Sequence, residues 1–156
     1  MAAADLPGVL ALEQELFPDD AWTPEMFAEE FAQPAESRLY LVAVNDEGTG
    51  GPGAGEGRGA VTGYAGMLFP GGRQADVLTI AVAPGHWGRG IGSALLAALV
   101  QEAGERGCTE VFLEVREDNP RARGLYLRRG FREIGVRRGY YQPSGVDAIV
   151  MRKDLR

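Results

Sequence analysis

A chain of 156 residues has room for one hydrophobic core but not for two ordinary ones, so a single domain over 1–156 is expected. Its net charge of −6 argues against a nucleic-acid binder, no apolar run approaches the roughly 20 residues that cross a bilayer, and Met1 to Glu15 lacks the basic start of a secretory signal. The one cysteine, Cys108, excludes an internal disulfide and points to a cytoplasmic protein.

Leu6, Val9, Leu10, Leu16 and Phe17 recur at helical spacing and predict an amphipathic helix that Pro18 ends. Thr23 as N-cap, Pro24 at the first helical position and Glu25 in the first turn predict a second helix. Its buried stripe would be Met26, Phe27, Phe31 and the stem of Glu30. Arg38 to Val44 and Ala60 to Phe69 are rich in β-formers and read as antiparallel neighbours. Residues 45–59 between them are mostly Gly with Asp, Glu, Thr and Pro. Such a segment buries too little apolar surface to offset its ordering entropy, which predicts a flexible hairpin loop.

Pro70-Gly71-Gly72 turns the chain into a third strand, Ala75 to Val82. From there the pattern changes to strand, loop, helix, strand, helix. Ser93 to Arg106 places Leu95, Leu96, Leu99, Val100 and Ala103 on one helical face, and Gly107 supplies the stop. Glu110 to Arg116 reads as a strand, and Asn119-Pro120 opens a short helix ending at Gly130. Phe131 to Val136 and Val146 to Arg152 predict two last strands around a turn at Tyr140-Tyr141. The fold class is α+β, a mixed, mostly antiparallel sheet with helices on both faces.

The turn after the third strand, Pro84 to Gly92, carries the most chemistry. Gly88, Gly90 and Gly92 let backbone approach a ligand, and the helix that follows presents unpaired N–H groups at its positive end. That combination suits a pyrophosphate. A nucleotide P-loop needs Gly-Lys before Ser or Thr, and the only lysine is Lys153. A Rossmann site would find its ribose-binding acid near Glu114, but the glycines lack the GxGxxG spacing and Pro84 to Trp87 intervene after the strand. The loop alone leaves the ligand open. His86, the single histidine, has no partner for a triad or a metal site, so no metal is expected. Cys108 follows Gly107 at a helix end and reads as small filler.

Thr79-Ile80-Ala81-Val82 before the loop, then Leu113-Glu114-Val115-Arg116, Asn119, Leu125-Tyr126 and Gly130-Phe131 after it, together resemble the acetyl-CoA-binding core of GNAT acetyltransferases. Arg137-Arg138 with Tyr140-Tyr141 and Asp147-Ala148 make the chain most similar to the RimI-type branch, which acetylates the N-terminal alanine of a ribosomal protein. The resemblance is dense from Ala75 to Met151 and looser over Leu6 to Phe31.

This resemblance implies acetyl-CoA as cosubstrate and the N-terminal peptide of a protein, a ribosomal one in this branch, as partner. It implies Glu114 as general base, acting through water, and Tyr126 as the acid that protonates the leaving thiolate. Cofactor contacts would come from Ile80, Ala81, Val82, Gly88, Arg89, Gly90, Ile91, Gly92 and Asn119, and a peptide groove from Trp22, Tyr140 and Tyr141. Asn119 also reads as a plain N-cap. Two departures stand out. Trp87 occupies a position where the family places Arg or Gln, with Arg89 a substitute cation, and the family's first strand has no counterpart before Leu6. Either the sheet lacks that edge strand or the native start lies upstream of Met1.

Overall fold

The structure, a computed structural model, describes residues 1, 3–18, 21–45 and 60–155. The loop expected over 45–59 lies, apart from Asn45, outside them. Helix α1 spans Leu6–Leu16 and helix α2 spans Pro24–Phe31, the latter capped as expected by the Thr23 hydroxyl, which accepts from Met26 N at 3.2 Å. Strands β1 (Arg38–Val44), β2 (Val61–Gly71) and β3 (Gln74–Val82) form an antiparallel meander. Helix α3 (Ile91–Glu105) leads to β4 (Glu110–Arg116), helix α4 (Pro120–Arg128) follows, and β5 (Arg132–Tyr141) and β6 (Val146–Asp154) close the fold.

The six strands lie in the order β1-β2-β3-β4-β6-β5, and every neighbouring pair is antiparallel except β3–β4. Side chains alternate across a sheet, so each strand divides its residues between two faces. Ala65 and Met67 on β2 and Val111, Leu113 and Val115 on β4 pack with α3 and with Tyr126 of α4. Tyr64 faces the other way, into a second cluster with Val9 and Leu12 of α1 and Phe27 of α2. Helices α3 and α4 therefore cover one face and α1 and α2 the other, the arrangement expected from sequence.

Two local expectations change. Only Phe27 of the predicted α2 stripe is buried, while Met26 and Phe31 are each 43% exposed. Glu30 does not lie along the core by its stem alone. Its carboxylate accepts from Arg38 Nε at 2.7 Å and from the Tyr40 hydroxyl at 2.8 Å, and these bonds hold its pKa below the carboxylate range despite burial. The eight-residue helix is too short to bury a full stripe against a curved sheet. The second change is at the end of the chain. Tyr140 and Tyr141 continue β5 and the turn falls at 142–145, because β6 supplies pairing partners up to Tyr141↔Val146.

Among the described residues, Tyr64 Oη is a sealed polar atom without a hydrogen-bond partner. A desolvated hydroxyl with no bond destabilises the folded state. Tyr64→Phe should therefore raise stability by about 0.5–1 kcal/mol, read as a higher midpoint in urea with unchanged slope. A lower midpoint would mean that the hydroxyl has a partner in solution.

Candidate active site

The parallel strands β3 and β4 are paired only over Gln74↔Glu110, Ala75↔Val111 and Asp76↔Phe112. Beyond that point they separate. The cause lies in β3: Gly66 of β2 pairs with Thr79 and Met67 with Val77, which leaves Leu78 as an extra residue. Such a bulge bends and twists its strand. While β3 turns away, β4 stays fully paired to β6 along its other edge, so a wedge-shaped gap opens through the sheet.

Backbone groups line one side of this gap. Ala83 N donates to Thr62 O at 2.8 Å, and hydrogen-bonding direction alternates along an antiparallel pair. Ala81 therefore bonds β2, whereas the N–H and C=O of Ile80 and Val82 point towards the gap. Of the three strand residues expected to contact a cofactor by backbone, Ile80 offers both its groups and Val82 its N–H, the Val82 carbonyl being taken by the Trp87 indole, while Ala81 is spent in the ladder.

At the end of β3 the chain makes a short turn, Pro84–His86, and enters the glycine loop. Gly88 and Gly90 both have φ of 80°, a left-handed conformation that side chains resist. Gly90 is the N-cap of α3 and, being glycine, gives the helix start no side-chain cap. An open strand edge leading to an uncapped helix start is fitted to a long ligand with amides at one end and phosphates at the other, the chemistry of acetyl-CoA. Gly92 is the second residue of α3, where a Cβ would make ordinary contact with Leu125 at 3.4 Å. Arg89 is exposed and approaches His86 Nδ1 at 3.5 Å.

Trp87 does more than fill the position where a cation is expected. Its indole N–H donates to Val82 O at 2.8 Å, and the Arg121 guanidinium stacks on its ring at 3.6 Å. Arg121 belongs to the first turn of α4, so the pair bridges the loop to that helix. Sequence reasoning missed Arg121, since no local pattern shows which residue stacks on Trp87. Asn119 is the N-cap of α4, its Oδ1 accepting from Ala122 N at 3.1 Å.

Glu114 alternates with buried Val111, Leu113 and Val115 and so lies on the α1–α2 face. Arg137 Nε sits 3.0 Å from Glu114 Oε1, and the Tyr140 hydroxyl lies close enough to the same carboxylate for it to push the phenol's pKa up. Asp76 shares this face at the apex of the gap. Burial and then the negative charge of Glu114 push its carboxyl above the usual range. Asp76 was not singled out from sequence, and Arg137 only as a carrier of the family resemblance, with no role given to it at the site. Perturbed acids beside a second carboxylate are a mark of functional sites, but the mark appears only in three dimensions.

Tyr126 is on α4, on the opposite face, 7% exposed and packed edge-on to Phe131 at 5.9 Å. Burial, with a smaller contribution from Tyr141, raises its pKa above that of a free phenol. Tyr141 is itself pushed up to about 12, first by burial and then by Glu114. It thus couples to both residues. Glu114 and Tyr126 lie on opposite faces, and the gap between β3 and β4 is the passage between them.

The expected groove residues separate. Tyr140 and Tyr141 stand together with rings 5.1 Å apart, beside Glu114. Trp22 packs instead on Phe27 at 5.1 Å, and its backbone N–H donates to the buried Glu13 carboxylate at 3.0 Å. Cys108 is buried near Gln74, at the paired end of β3 and away from the gap, and burial pushes its thiol up. It is filler, as expected.

The model of the Acetyltransferase (GNAT) family matches residues 6–131. N-alpha-acetyltransferase RimI of Mycobacterium tuberculosis is 40% identical over 158 residues, covering 99% of this chain and 89% of that protein. The [ribosomal protein bS18]-alanine N-acetyltransferase of Escherichia coli is 41% identical over 80 residues, half of this chain and 54% of its own length. The crystal structure of the Escherichia coli ribosomal-protein-S18-alanine N-acetyltransferase superposes with a TM-score of 0.79 at 29% identity, covering 99% of this chain and 90% of that one. The family model covers most of the chain and the relative matches over nearly all of it, and the chain belongs to the GNAT family of acetyltransferases.

Proposed function

We propose that this protein transfers the acetyl group of acetyl-CoA to the N-terminal amine of a polypeptide, that of an alanine at the start of a ribosomal protein. The observation that carries the reading is the placement of Glu114 and Tyr126 on opposite sides of one gap in the sheet. Bound acetyl-CoA supplies an activated thioester. The glycine loop and the start of α3 hold its phosphates, with Arg89 as a nearby cation and Asn119 on the α4 side. N–H groups of Ile80 and Val82 bind its amides and are placed to polarise a carbonyl held in the gap.

On the α1–α2 face, the Glu114 carboxylate takes a proton from the incoming amine, which leaves the nitrogen lone pair free to attack. On the α3–α4 face, Tyr126 carries its phenol proton at neutral pH, as burial further favours, and it gives that proton to the leaving sulfur. Tyr140 and Tyr141 wall the acceptor side. Trp22 supports the α1–α2 connection on which a peptide would rest. The similarity to RimI proteins over nearly the whole chain supports the peptide acceptor, and the exposed Tyr140 beside Glu114 supports a groove open to a chain rather than a closed pocket.

The test combines binding and turnover. Acetyl-CoA should raise the melting temperature and NAD should not, since only a ligand that binds the native state stabilises it. With acetyl-CoA present, a peptide beginning with alanine should be acetylated at its amino group. An N-blocked peptide containing lysine, and a panel of small amines, should react much more slowly. Preferential reaction of lysine or of a small amine would replace the acceptor and leave the acetyl transfer standing.

A further inference from the structure

We infer that Arg137 occupies, in the resting protein, the place beside Glu114 that the acceptor's amino group takes during turnover, and that it thereby sets acceptor affinity. The inference deepens the proposed function and rests on Glu114 being the base. A base must offer an oxygen to the incoming amine. Here the Glu114 carboxylate is already engaged by Arg137 Nε at 3.0 Å, with the Tyr140 hydroxyl as its other neighbour.

Of these two partners, Arg137 is the one able to leave. Its side chain is 60% exposed against 24% for Glu114, and β5 is the edge strand of the sheet. Its other contact is the Tyr140 ring, 5.6 Å from the guanidinium, and that ring is itself exposed. Such a pair is worth little in water, so its exchange for another cation is nearly even. A peptide's terminal ammonium carries the same charge and N–H donors as the guanidinium it replaces. After acetylation the nitrogen is a neutral amide and has no charge to hold Glu114. Arg137 then regains the carboxylate as product leaves.

The contact therefore competes with substrate and is released on binding. In Arg137→Gln the acceptor no longer displaces a cation. KM for an alanine-starting peptide should fall by about two- to five-fold, with kcat within about two-fold of wild type. Arg137→Lys, which restores the charge, should return KM towards wild type. Calorimetry of the peptide with the CoA-loaded protein should show the same tightening in Arg137→Gln. That gain should vanish when Glu114→Gln is the background, because the competition is for this carboxylate.

An unchanged or higher KM in Arg137→Gln overturns the inference. So does a fall in kcat at constant KM, which would make Arg137 a residue that orients Glu114, or a gain in peptide binding that persists without Glu114. Wild-type protein that acetylates no alanine-starting peptide fails the acceptor reading instead. The same comparison on the amine it does acetylate then decides the role of Arg137.

Discussion

Replacing Glu114 by Gln should lower turnover of an alanine-starting peptide at pH 7 by about 10²-fold or more. Gln keeps the shape, but it cannot take a proton. An α-amino group has a pKa of about 7.7–8.0, so most of it is protonated at pH 7 and must lose that proton before attack. The deficit of Glu114→Gln should therefore shrink as pH rises through that range, where solvent has already done the work of the base. Acetyl-CoA affinity should change little, since Glu114 lies on the α1–α2 face and the glycine loop leads into α3 on the other. Tyr126→Phe should also slow turnover, and raising the pH should not restore it, because a deprotonated amine does not replace a donor to sulfur. The Phe variant keeps the edge-on packing with Phe131, so folding is preserved. A pH–rate profile of wild type and both variants reads all of this. Near-wild-type turnover of Glu114→Gln at pH 7 would leave Glu114 a structural strand residue.

Gly63→Val should cost about 1–3 kcal/mol of stability and weaken acetyl-CoA binding in the same variant. Gly63 is on β2, distant in sequence from every residue of the loop. A Cβ built there meets Ala81 O at 2.9 Å, Ile91 Cγ2 at 3.2 Å and Leu95 Cδ1 at 3.2 Å. The carbonyl is fixed in the β2–β3 ladder opposite Tyr64, so it cannot yield. Strain then falls on Ile91 and Leu95, the first turns of α3, and tilts the helix start away from the end of β3. Urea melts measure the first effect, and the rise in melting temperature on adding acetyl-CoA measures the second. Gly63→Ala should show both effects at smaller size. A Val variant as stable as wild type would mean that α3 is not seated on β2 as described.

The elements were legible because their signals are local. Thr23 and Asn119 cap the helices they were expected to cap, and β1 runs over the residues where β-formers cluster. Alternation along Val111 to Val115 places Glu114 opposite the core, as the two-residue period requires. The ordered series from Thr79 to Phe131 carried the family resemblance and, with it, the expected roles of Glu114 and Tyr126. Met26 and Phe31 were misplaced because helical spacing says which residues share a face, not how wide a surface awaits them.

By itself, then, the amino-acid order determined the succession of helices and strands, the glycine loop and the residue types available for chemistry, since propensity, capping and periodicity act over a few neighbours. Tertiary structure alone decided where the sheet opens. The Leu78 bulge is defined only by its register against Gly66 and Met67, and the gap exists because β4 stays paired to β6 while β3 bends away. The meeting of Glu114 with Asp76, Arg137 and Tyr140 joins three strands, and that of Trp87 with Arg121 joins a loop to a helix. Such contacts depend on long-range strand pairing and helix packing, which no window of neighbouring residues encodes.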